Sequence, residues 1–120
     1  MTPLTINVVT DRGTLPVTVL VASTREDHER GYLRRQPPAG DREGILFLFD
    51  PPKQQTFHMK GVGFPLDIIM ADEDGKVVAA ANMVPNSPAL YAARVPLGYA
   101  LELKSGWVAR NGTPICITEA

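Results

Sequence analysis

His58, Lys60 and Asp67 are the side chains whose types and spacing could do acid–base chemistry in this 120-residue chain. Side chains alternate along an extended segment, so His58 and Lys60 share one face of a strand read over 55–60, with Phe57 and Met59 on the other. Asp67 lies seven residues beyond Lys60, and antiparallel pairing of the two segments would bring it to His58. A histidine held by a carboxylate is a general base, and Ser23, Thr24 and Thr56 offer hydroxyls. The plainer alternative makes Asp67 a cap for backbone amides at a turn after Phe64-Pro65, and His58 a half-exposed strand residue. A second polar set is Arg30, Arg34 and Glu102: the arginines flank a predicted helix end and Glu102 sits within an apolar strand. It reads either as a structural ion-pair network, costly to bury unless well hydrogen-bonded, or as a pocket for an anion or carboxylate.

Other chemistries lack their residues. No metal centre is expected, because the two histidines, His28 and His58, are thirty residues apart and no His/Cys pair has ligand spacing. Asp72-Glu73-Asp74-Gly75 opens like a calcium loop but lacks the remaining ligands, so it reads as a hairpin turn. Gly61-Val62-Gly63 has no third glycine and no following helix for a phosphate. The lone cysteine, Cys116, lies in Pro114-Ile115-Cys116-Ile117 and reads as a small core residue. No cofactor is implied. Twelve basic against thirteen acidic residues give a net charge of −1, without the basic field that nucleic acid or an anionic membrane requires. No apolar run approaches the roughly 20 residues that span a bilayer, and Met1 to Asn7 shows no signal peptide. A cytoplasmic or virion location is the expectation.

The elements that must position these residues are short. Ten glycines and eleven prolines punctuate the chain into many turns, and its length suits one domain. Strands are predicted over 4–9, 14–21, 44–50, 55–60, 65–71, 76–81, 99–104 and 115–118. Pro16 cannot donate to a ladder, which places the start of the second strand at a sheet edge. Ser23-Thr24-Arg25-Glu26 reads as a capping box with Ser23 as N-cap, opening a two-turn helix that ends at Gly31. A helical turn over 105–110 is capped by Ser105 in the same reading. Strands and helices do not alternate strictly, so the expected class is α+β: a compact, mainly antiparallel, barrel-like sheet with one short helix in the N-terminal half and a second helical turn near the C-terminus.

Several segments together resemble one family. Glu29-Arg30-Gly31-Tyr32-Leu33-Arg34, Gly44 to Phe49, Phe57-His58-Met59-Lys60-Gly61, Phe64 to Ile69 and Leu101 to Gly106 occur in the order seen in Domain of Unknown Function 192, over residues 5–118. The resemblance implies a compact β-rich fold with a helix and no established activity. His58 stands where the family usually has Trp, and Gly61 where it usually has Asn.

The segment from Val84 to Pro96 is long and poor in charge, and loops of this kind are usually functional. Leu90, Tyr91, Arg94 and Val95 are its interface candidates, Tyr and Arg being enriched in hot spots. With no nucleotide, metal or nucleophile motif, the preferred expectation is a non-enzymatic interaction or structural module, self-associating or holding a protein partner. Its particular form would be a phage-encoded capsid-decoration subunit, since the family is similar to some phage-encoded domains. The alternative is a small-molecule-binding domain or hydrolase using His58, Lys60 and Asp67.

Overall fold

A computed structural model describes residues 1–120. Its elements are β1 (Thr2–Thr10), β2 (Gly13–Ala22), α1 (Arg25–Arg30), β3 (Glu43–Lys53), β4 (Thr56–Phe57), β5 (Leu66–Ala71), β6 (Val77–Met83), β7 (Tyr91–Ala92), β8 (Leu97–Lys104), α2 (Trp107–Asn111) and β9 (Pro114–Glu119). Seven strands form one sheet in the order β6-β5-β8-β3-β2-β1-β9, and β4 pairs with β7 apart from it. All neighbours are antiparallel except β2 and β3, whose parallel pairing requires the crossover through α1. The sheet curls until its edges touch: Lys76 bridges Cys116, and the Ile117 amide donates to the Gly75 carbonyl. The α+β, barrel-like expectation therefore holds, with the closure partial.

The period-two alternation of strand side chains divides the core in two. Leu46 on β3, Ile69 and Ala71 on β5, and Leu101 and Leu103 on β8 point into the curl, where they join Val8, Val17, Ile117 and Trp107. Ile45, Phe47 and Phe49 on β3, Leu66, Ile68 and Met70 on β5, and Ala100 on β8 point outward. This outer face stays dry because chain lies over it, with Tyr32, Phe57, Met59 and Val62 pressed against it. Glu102 occupies the outer face at the centre of β8, opposite Ile45 on one side and Ile68 on the other.

Local readings shift in three places. Pro16 lies in an interior strand, but the β3 pairing begins only at Thr18, so its missing N–H is never needed. Thr24, not Ser23, caps α1 by accepting from the Asp27 amide at 3.1 Å. Ser105 does not cap α2: Asp67 does, from β5. Its oxygens accept from the Gly106 amide at 3.1 Å and the Val108 amide at 2.9 Å, and Asn82 Nδ2 donates to it at 2.8 Å. A helix this short could not stand on its own propensity. It is held further by Trp107, buried at one end of the curl, whose Nε1 donates to the Asp41 carbonyl at 2.8 Å. The Arg110–Asp41 ion pair at 2.6 Å completes the clasp; hydrogen bonding from Arg110 holds the Asp41 carboxyl below its ordinary range. No helix is long and apolar enough to cross a membrane.

Asp67→Ala would leave the Gly106 and Val108 amides at the start of α2 without their acceptor and take from Asn82 Nδ2 one of its two, Ser105 Oγ remaining. We expect a loss of about 2–3 kcal/mol in chemical denaturation, with Asp67→Asn intermediate because its amide retains one acceptor oxygen.

Candidate functional site

Between α1, β3 and the 54–62 segment lies a cleft of about 680 Å³. Phe47 and Phe49 reach it from the outer face of β3, and Phe57 from β4. Their rings meet at centroid distances of 5.7 Å for Phe47–Phe57 and 6.2 Å for Phe49–Phe57. His28 on α1 packs on Phe49 at 4.8 Å. Its Nε2 lies 2.9 Å from the Ala22 carbonyl; a carbonyl only accepts, so this nitrogen carries the proton and Nδ1 is left as an acceptor when the ring is neutral. The pairing of β3 with β8 slips between Leu48 and Lys53. The prolines at 51 and 52 fall in this slip, and the residues displaced there, Asp50 to Lys53, line the cleft.

Glu102 is the buried carboxyl of this cleft. It is 6% exposed, forms no ion pair and has no hydrogen-bond partner among the side chains or backbone around it. No fully sealed side-chain oxygen or nitrogen in the chain lacks a partner, so the Glu102 oxygens open onto the cleft. Burial pushes its carboxyl up to about 8, because an apolar surround disfavours the charged form. Tyr32, 8% exposed beside the same cleft, is raised as well, first by burial and then by Glu102. The backbone approaches closely here: a Cβ on Gly31 would lie 3.1 Å from Phe47 and 3.2 Å from Glu102 Oε1. Gly31 also takes φ +44°, a left-handed conformation that favours glycine.

The expected constellations divide differently. His58 and Lys60 line the cleft, but Asp67 does not. Asp67 has the parity of Ile69 and Ala71 and therefore faces into the curl, where its oxygens are engaged by α2 and Asn82. The His58–Asp67 pair is thus replaced by two groups on opposite faces of the sheet. The strand expected over 55–60 shortens to two residues, and His58 Nδ1 instead accepts from the Lys60 amide at 3.2 Å. Arg30 and Glu102 share the cleft without pairing, while Arg34 lies outside it in a turn with φ +60°. Tyr91 is half-buried, paired across to Phe57, and its hydroxyl accepts from the Val84 amide. Leu90, Arg94 and Val95 remain exposed. No group of His, Cys, Asp and Glu residues is disposed to hold a metal ion. Sequence reasoning missed His28, Tyr32, Phe47 and Phe49 as site residues. The available signal was parity: Glu102 is the charged residue in an otherwise apolar outer row.

The chain belongs to the domain of unknown function 192 family, described as an uncharacterized ACR, whose model matches residues 7–115. No curated protein matches it. Two crystal structures share the fold, each with a TM-score of 0.88. One, from Sinorhizobium meliloti 1021, is provisionally described as a transcription regulator; it is 29% identical, and the match covers 98% of this chain and 92% of that one. The other is a protein of unknown function from Novosphingobium aromaticivorans DSM 12444, 30% identical over 96% of this chain and 84% of that one.

The folded chain holds the Glu102 proton up to about pH 8, whereas an unperturbed glutamate releases it near 4.5. Between these limits the folded state binds more protons than the unfolded state, so this group's contribution to stability falls as pH rises through the window and levels off above it. At 1.36 kcal/mol per unit the full fall is roughly 5 kcal/mol. Denaturation midpoints of the wild type and Glu102→Gln, compared at about pH 5 and pH 8.5, are expected to diverge in that direction, with the variant relatively more stable at the higher pH.

Proposed function

We propose that this chain is a small-molecule-binding domain whose site is the aromatic cleft over β3 and β8. The observation that carries this reading is the unpartnered Glu102 carboxyl opening onto a cleft walled by Phe47, Phe49, Phe57 and His28. A polar group left without a partner in an apolar surround is destabilising, and strongly perturbed groups concentrate at functional clefts. The volume lies within the range of small-ligand sites. The hydrolase form of this reading, through His58, Lys60 and Asp67, is not carried forward, because Asp67 serves α2.

A second reading, the interaction module, rests on a different surface. Leu90 is 70% exposed and Val84 55%, with Val95 beside them in the same segment at 41%. Self-association or a protein partner would cover these side chains, and a capsid-decoration subunit would be one form of it. That reading predicts a concentration-dependent dimer in sedimentation velocity that Leu90→Asp abolishes.

The cleft reading is tested by an NMR fragment screen of aromatic acids, amines and amides against the full chain. Binders are expected to shift resonances of His28, Tyr32, Phe49 and Phe57 together, and Phe49→Ala is expected to weaken them by about tenfold through lost apolar contact. A screen with no binders, or with binders confined to the 84–96 segment, would overturn it.

A further inference from the structure

The floor and the rim of the cleft differ in charge, and the difference bears on what the cleft accepts. This inference rests on the cleft being a binding site and names the ligand class. At the floor stand two polar groups with no partner in the chain, the Glu102 carboxyl and the Tyr32 hydroxyl, on residues at least nine-tenths buried. A phenol donates readily, and an uncharged carboxyl has one O–H to donate. Around them the rim is cationic. Arg30, Lys53 and Lys60 line the cleft and form no ion pair. Arg25 is matched by Glu29 at 3.2 Å, which leaves Asp50 as the unmatched acid of the rim. The walls between floor and rim are aromatic.

We infer that the cleft takes a small organic anion with a planar aromatic body, an acceptor oxygen of which is held jointly by the Tyr32 hydroxyl and the Glu102 carboxyl. The rim cations would draw such an anion in, and the phenylalanine rings would cover its body by edge and offset contacts. An organic cation would favour the ionised floor, but it would have to pass the cationic rim. Burial that keeps Glu102 protonated at neutral pH serves the anion, since ionisation would remove one donor and set a like charge against the ligand. Binding should therefore weaken as Glu102 ionises. The other ionisable groups facing the cleft are Arg25, His28, Glu29 and Arg30 from α1, Asp50 and Lys53 from β3, and His58 and Lys60 from the segment over it. For that reason the wild type must be compared with Glu102→Gln, which keeps an N–H donor and has no charge to gain.

The test uses two probes of similar size and opposite charge, phenylacetate and benzyltrimethylammonium, both charged throughout the range. Each is titrated into the full chain by NMR from about pH 6 to pH 9.5. Phenylacetate is expected to bind and to lose about tenfold in affinity between about pH 7 and pH 9, as follows from a floor carboxyl that titrates near 8. Glu102→Gln is expected to remove most of that fall, read as the ratio of the variant's own affinities at about pH 7 and pH 9. Tyr32→Phe is expected to weaken phenylacetate about five- to tenfold through the lost hydrogen bond, with its fold confirmed by the amide spectrum. If benzyltrimethylammonium binds instead, more tightly as pH rises, the anion inference is overturned and the cleft reading stands. Phenylacetate binding that ignores pH, Glu102→Gln and Tyr32→Phe would also overturn it, as would the failure of both probes. In that last case the fragment screen separately decides the broader reading.

Discussion

The burial of one carboxyl without a partner, at the centre of a sheet face, is the constraint to which the rest of the cleft answers. Glu102 lies between Ile45 and Ile68 on the outer face, where a charged carboxylate would cost several kcal/mol. The chain does not supply a cation, although Arg30 borders the same cleft. It leaves the group uncharged and brings glycine backbone over it at Gly31, while the aromatic rings of β3 and β4 wall the cleft beside it. The slip in strand pairing at 48–53 puts Asp50 to Lys53 in the cleft wall. Stability is spent here on an arrangement that packing alone would have avoided.

Parity along the strands decides which polar groups can cooperate. Asp67 and Glu102 are both nearly sealed and sit on adjacent strands, yet they face opposite sides of the sheet. Inside the curl, Asp67 replaces the side-chain cap that α2 lacks and ties β5 to the C-terminal region. Outside, Glu102 has neither an amide nor a guanidinium to satisfy it. Two buried acids in one small sheet thus do different work, one answered by backbone amides and the other open to the cleft.

Much of the architecture was legible in the sequence. The alternation in Thr14 to Val21 and the apolar run Gly44 to Phe49 marked β2 and β3, and the Asp72 to Gly75 turn fell where Gly75 takes φ +83°. The strand order was not legible, because nothing local announces that β2 and β3 pair in parallel across a crossover. The site was partly legible. Glu102, Arg30, His58 and Lys60 were singled out and do line one cleft. Of the two readings of Asp67, the structure has it capping backbone amides, at α2 rather than at a turn after Pro65; the pairing with His58 needed the 55–60 segment to be a strand in the same sheet. It is instead a covering segment whose strand character ends at Phe57, held down by Phe57, Met59 and Val62. His28 and Tyr32 were not legible as site residues because their role depends on how the crossover lies on the sheet, which is a tertiary fact.

The protonation state of Glu102 in the free protein decides what the floor of the cleft can hold. A ¹³C NMR titration of its side-chain carboxyl, assigned by comparison with Glu102→Gln, measures that state directly. The account predicts a midpoint near 8, with Tyr32 ring resonances moving in the same step. A midpoint close to the ordinary glutamate value of 4.5 would mean that the carboxyl is solvated or paired, and would contradict the uncharged floor on which the reading of the cleft depends.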